Sequence, residues 1–198
     1  DATDDAICTK AGNKKTKNDQ HMSKRLYIFA VLFFAASANL FAQHDEHNTF
    51  HPHHSLALIV SHTQVMTGIK PDGDKKWLSL PSWGLDYNYK FHPKWAIGLH
   101  NDIVVEDFVV QGHGEEIERS YPIASAIMVS YKPGEHFSFM LGPGEEFAHT
   151  GNLFLIRAGI EYSCHISKGW ELNAVITNDY KVNAYNSWAV GLGIAKIF

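Results

Sequence analysis

The sequence predicts an all-β fold: a closed, up-and-down antiparallel barrel of eight strands that crosses a membrane. Three observations predict it. Eight segments alternate apolar and polar side chains over about ten residues each, and bilayer-spanning strands need roughly 9 to 11 residues where soluble ones average roughly 5 to 6. The segments are joined alternately by tight turns and by longer, polar loops. Aromatic side chains, 13% of the chain, gather near strand ends with the parity of the apolar face. The 15 glycines suit tight turns between such strands.

The ends of the chain place it outside the cytoplasm. Residues 1–21 are polar and aperiodic, and are expected to be a disordered or non-native leader. Residues 22–42 have the layout of a secretory signal peptide: Met22, a basic Lys24-Arg25 pair, an apolar run from Leu26 to Ala38, and small residues that allow cleavage after Ala38 or Ala42. No cysteine follows that run at a lipidation position, and after cleavage Cys164 is left alone, so no internal disulfide forms. No later stretch reaches the length of a membrane helix. A chain that spans lipid without such a helix must close its sheet, because every backbone polar group needs a partner there. The net charge of -4 gives no reason to expect a nucleic-acid partner.

The mature terminus, 43–53, reads QHDEHNTFHPH and continues into His54. His44, His47, His51, His53 and His54, with Asp45 among them, form a flexible periplasmic tract with the donors for weak capture of zinc, copper or nickel. It lacks the fixed spacing of a structural zinc site, and no other cofactor is implied.

The barrel is assigned to residues 54–198 and its strands follow in order. HSLALIVSHTQVM (54–66) is a strand whose facing the pattern leaves open. In 77–91, Trp83, Leu85, Tyr87, Tyr89 and Phe91 oppose Gly84, Asp86, Asn88 and Lys90. In 94–108, Trp95, Ile97, Leu99, Ile103 and Val105 oppose Gly98, His100, Asp102 and Glu106. Tyr121, Ile123, Ile127, Val129 and Tyr131 share a face of 120–132. Phe137, Phe139 and Leu141 share one of 136–147, with Glu146 opposite. In NLFLIRAGIEYSCHIS (152–167), Phe154, Ile156, Ala158, Ile160 and Tyr162 oppose Leu155, Arg157, Gly159, Glu161 and Ser163. Trp170, Leu172, Ala174 and Ile176 oppose Glu171, Asn173, Thr177 and Asp179 in 169–182. In 186–198, Trp188, Val190, Leu192, Ile194 and Phe198 oppose Ala189, Gly191, Gly193 and Ala195. Side chains alternate across a strand, so each segment presents one oily and one polar face.

KFHPKW, YKPGEHF and ISKGWE make tight turns, whereas TGIKPDGDKKW, VVQGHGEEIERS, EEFAHTGN and NDYKVNAYNS read as longer loops. Tyr89, Phe91, Trp95, Tyr131, Phe137, Tyr162, Trp170 and Phe198 lie near the tight-turn rim, and Trp83, Tyr121, Phe154 and Trp188 near the other. Two aromatic girdles are what the two membrane interfaces favour. With this signal peptide, these eight segments and the final GLGIAKIF, the chain resembles the small eight-stranded outer-membrane β-barrels of diderm bacteria. The resemblance implies a bacterial outer-membrane location with both termini in the periplasm, and outer-membrane lipid as surroundings. It also implies that Phe198 belongs to the signal read by the assembly machinery. Lys196 departs from that signal, standing where an apolar residue is usual.

An arginine on the lipid face near the midplane costs about 2–4 kcal/mol; on the inner face it can pair. Asp86, Lys90, His100, Asp102, Glu106, Glu146, Arg157, Glu161, Glu171 and Asp179 are therefore expected to form an interior polar network with Arg157 as its cationic hub. The role this implies is structural or surface-interacting and non-enzymatic. A narrow channel or small-solute transporter is the second reading. Lipid A deacylases and acyltransferases are barrels of this size, but they need a serine activated by a histidine. His149 has no serine after it at the deacylase spacing, and Ser61-His62 and His100-x-Asp102 are looser still.

Overall fold

The structure, a computed structural model, describes residues 50–69, 75–112 and 115–198. The tracts 1–21 and 22–42, and His44 and His47, lie outside the described residues. Ten strands form in chain order: β1 (His53–Ile69), β2 (Lys75–His92), β3 (Trp95–Val104), β4 (Asp107–Gly112), β5 (Glu115–Ser120), β6 (Ile123–Tyr131), β7 (Phe137–Phe147), β8 (Leu153–Ser167), β9 (Trp170–Lys181) and β10 (Asn186–Ile197). Eight of them make the wall, every neighbouring pair antiparallel, in the order β10-β9-β8-β7-β6-β3-β2-β1. β1 pairs with β10 from Ser55↔Ile197 to Val65↔Ser187, and this closes the barrel. At its end, the Phe198 amide donates to the His54 carbonyl at 2.9 Å and the His54 amide to the Phe198 carbonyl at 3.4 Å.

The oily faces point outward. Leu58, Leu85, Leu99, Ile127, Leu141, Ile160, Ile176 and Leu192 are all exposed, by 43–65%, while Arg157 is 2% exposed. A water-soluble sandwich would show the reverse. In β1, whose sequence left both facings open, Leu56, Leu58 and Val60 point out and Ala57, Ile59 and Ser61 point in. All twelve aromatics expected at the two rims lie on the outer surface, with Tyr89 the one among them that is partly covered. His54 stacks on that ring at 4.7 Å between centroids. Lys196 does stand on this face, its Nζ 4.9 Å from the centre of the Trp170 ring. A cation beside an aromatic at a membrane interface keeps its stem in the apolar layer and its head near water.

Connections differ from expectation at one rim. The turns 93–94, 132–136 and 168–169 are short, as expected. At the opposite rim the segment 105–122 is not a loop. It forms the β4–β5 hairpin, paired from Asp107↔Ser120 to Gly112↔Glu115. The hairpin leaves the wall between β3 and β6, and β4 then pairs with the top of β1 (Gly68↔Val110, Ile69↔Val109) on the edge that β10 occupies lower down. It thus reaches across the mouth. Phe108 and Val110 are buried against Val65, Leu80 and Tyr185. The two loops expected around 145–152 and 178–187 are shortened by strand at their ends, leaving 148–152 and 182–185 as connections. Strands run on above the aromatic belt because their inward residues still find partners beneath this cap.

One seam is open. Between β6 and β7 the ladder pairs Ala126↔Gly144 and then Val129↔Leu141, with no pairing at the two positions between. Pro143, in the middle of β7, has no amide hydrogen to give. At Gly142 a Cβ would sit 1.8 Å from the Ile127 carbonyl oxygen, so only glycine allows the two backbones to lie this close.

The lumen is not uniformly polar, which corrects the expected interior. Ala57, Ile59, Ala124, Ala126, Met128, Met140, Leu155, Val175 and Ala195 form one buried apolar cluster. The charges are divided around it. An eight-stranded barrel is just wide enough for side chains to fill, and methionine fills irregular space well.

Candidate functional site

In the loop-rim half of the lumen, wall and cap contribute to one alternating chain of charge. Arg119, on β5, donates through Nε to Glu146 on β7 at 2.8 Å, and its Nη2 lies 2.6 Å from the same oxygen. Its Nη1 donates to the Gly151 carbonyl at 2.7 Å. The other Glu146 oxygen lies 3.3 Å from Lys181 Nζ, which is 3.6 Å from Asp179. Arg157 grips Asp179 with two parallel bonds, Nε to Oδ1 at 2.6 Å and Nη2 to Oδ2 at 2.8 Å, and pairs through Nη1 with Asp102. Three cations and three carboxylates alternate, so the chain is formally neutral. Tyr185, from the turn between β9 and β10, donates its hydroxyl to Glu146 at 2.7–2.8 Å and packs its ring 4.6 Å from Lys181 Nζ. Burial, and then the neighbouring Glu146 carboxylate, hold the Tyr185 phenol well above the ordinary tyrosine range.

Local sequence explains why these groups meet. Odd-numbered residues of β8 and β9 point inward, and Arg157 sits opposite Asp179 in register on one side and Gly142 on the other. Bidentate arginine–carboxylate pairs are the strong class of charge-assisted bond. Buried charges of this kind are tolerated only when each has partners. The space left among Arg157, Glu146, Phe108 and Tyr185 is about 20 Å3, enough for about one water.

A second row lies across the lumen. His100 Nδ1 is 3.2 Å from Asp86, and its Nε2 is 3.0 Å from Asn88 Oδ1. No serine hydroxyl bonds to His100 among the described residues, so the row lacks the nucleophile an acyl-transfer site needs. His149 is exposed on the 148–152 connection, and His62 is exposed on the outer wall.

The third group is at the turn rim. Lys90, Lys94, Lys132, Glu161 and Glu171 line a cavity of about 80 Å3, together with Ser163 and Asn88. Lys132 donates to Ser163 Oγ at 2.7 Å and Asn173 donates to Glu161 at 3.1 Å. Glu171 has a histidine partner, His165, at 3.2 Å.

Nine of the ten expected network residues therefore face the lumen, but as three groups rather than one. The exception is Glu106. It is exposed in the bend between β3 and β4. Its alternation with Asp102 holds only while the strand continues, and β3 ends at Val104. Arg119, Lys132, Lys181 and Tyr185 were not anticipated. Lys181 has the parity of Asp179 and was within reach of the pattern. Arg119 needed the hairpin, whose signal is two short alternating runs around Gly112-His113-Gly114. Of the histidine tract, His51 is exposed, His53 partly covered, and His54 is engaged by the Tyr87 hydroxyl at 2.7 Å. No three metal-type ligands converge among the described residues.

These features define a closed eight-stranded β-barrel with an apolar outer wall and a hairpin across one end of its lumen. In fold it is similar to the attachment invasion locus protein Ail of Yersinia pestis, at 14% identity over 75% of this chain and 100% of that one, with a TM-score of 0.49. It is similar also to the outer membrane protein OprG of Pseudomonas aeruginosa, at 12% identity over 75% and 97%, with a TM-score of 0.49. Neisserial surface protein A is a third, at 12% identity over 72% and 96%, with a TM-score of 0.41. No family model and no curated protein sequence matches the chain.

Proposed function

We propose that the chain is a non-conducting, non-enzymatic barrel of a bacterial outer membrane, with its turn rim in the periplasm and its capped rim outside. The observation that carries this reading is the buried chain from Arg119 to Asp102, which ties the cap to the wall around a cavity of about 20 Å3. Hydrated ions need a continuous aqueous path, and charges already paired with one another offer none. The outward band of leucine, isoleucine, valine and aromatic side chains suits acyl chains and would aggregate in water. What remains for function is the external surface. Its described part exposes Glu106, Asp107, Glu116 and Glu118, an acidic rim suited to surface contacts rather than to solute passage.

Planar-bilayer recording tests the reading. The folded protein is expected to stay silent at potentials where open barrels give steps. Regular, ion-selective steps from the unaltered chain would replace it with the narrow-channel reading. A change in lipid A mass spectra on expression would replace it with the enzymatic one.

A further inference from the structure

The turn-rim cavity is unlike the rest of the lumen. In the loop-rim half every buried charge lies within 4 Å of an opposite charge. Around the turn-rim cavity, the ammonium groups of Lys90, Lys94 and Lys132 make no ion pair among the described residues, with Glu161, Glu171 or any other carboxylate. Lys132 rests on a serine hydroxyl, and Lys90 lies 5.9 Å from the Phe50 ring centre. Three lysines against two glutamates leave the lining with an excess of one positive charge. The ammonium groups of Lys90 and Lys132, partly covered and with no carboxylate in direct ion-pair contact among the described residues, keep capacity for a further charge-assisted bond.

We propose that this cavity binds a small tetrahedral oxyanion of the phosphate class, held chiefly by Lys90 and Lys132 and oriented by Ser163. The volume, about 80 Å3, has room for such an ion in place of a few waters. The lining belongs mostly to inward-facing positions, so the ion comes free from the aqueous side of the turn rim rather than as a lipid headgroup outside the wall. That side is the periplasm under the reading above, but the site itself does not depend on the orientation. The ion-pair chain beyond it makes the site a dead end.

The test is chemical unfolding of the full chain in phosphate-free zwitterionic micelles, with inorganic phosphate titrated at constant ionic strength against chloride. Phosphate is expected to raise the midpoint saturably and chloride not. Lys132→Gln should raise the half-saturating concentration about tenfold, the loss of one charge-assisted bond. If that variant does not fold, Lys90→Gln carries the same expectation. Glu161→Gln, which removes a like charge from the cavity, should tighten binding, and Lys168→Gln, on the exposed turn, should leave it unchanged. The proposal is overturned by equal responses to phosphate and chloride, by unaltered saturation in Lys132→Gln, or by weaker binding in Glu161→Gln. It is overturned equally if stabilisation appears only when phosphatidylglycerol vesicles replace free phosphate.

Discussion

The two halves of the lumen are built from the same residue types and solve the problem of enclosed charge in opposite ways. At the loop rim, each carboxylate has a cation and each cation a carboxylate, and a hairpin seals the arrangement from above. At the turn rim, lysines and glutamates line a cavity without pairing directly with one another among the described residues. The difference shows that counting inward charges does not say whether a barrel interior is structural. The partner within reach decides that.

The sharpest way to break the comparison is to remove the hub. Arg157→Leu leaves Asp102 facing no cation and strips Asp179 of its bidentate partner. The expected loss is about 3–5 kcal/mol, read as a lower urea midpoint for the barrel in detergent. An unchanged midpoint would mean the loop-rim charges are as loosely held as those of the turn rim. Arg119→Ala should cost less, about 1.5–3 kcal/mol, because Lys181 and Tyr185 still attend Glu146. Its distinctive result is loss of the cap: the hairpin should become a protease target while the wall resists.

Tyr185→Phe sharpens the comparison further, at about 1 kcal/mol near neutral pH. Its pH dependence has a definite sign. The folded-state phenol titrates above its unfolded value of about 10. The stability it contributes is therefore present below about pH 10 and lost as pH rises toward the folded value. Stability of the unaltered chain should fall more steeply above that pH than that of Tyr185→Phe. Lys132→Gln, in the absence of any anion, should change the midpoint least, by under about 1 kcal/mol, since no ion pair is broken.

Most of the wall was legible before any coordinates. Period-two alternation set the facing of seven strands, and the outward aromatics marked both rims. β1 stayed open because each of its faces mixes apolar and polar residues, and only pairing with β2 and β10 chooses between them. The site was legible in kind and not in grouping. Parity placed Arg157 and Asp179 inside, but register decides which carboxylate an arginine meets. Arg119 escaped because its strand belongs to the cap, whose partner Gly68 lies far away in sequence. Glu106 was misplaced by extending an alternation past the residue where the strand stops.

The unstitched seam at Pro143 bears on how this wall yields. The irregularities at three other wall junctions lie near strand ends (Val65/Gly68, Lys90/His92 and His165/Ser167), so amide hydrogens along the middle of those junctions should exchange with solvent deuterium only when strands part together. Beside Pro143 and Gly142, the β6 backbone has lost the partners that would protect it. Deuterium uptake should therefore begin at Ile127, whose backbone groups face this gap while Met128 stays paired with Gly98 of β3, making this the place where the cylinder first comes apart under load.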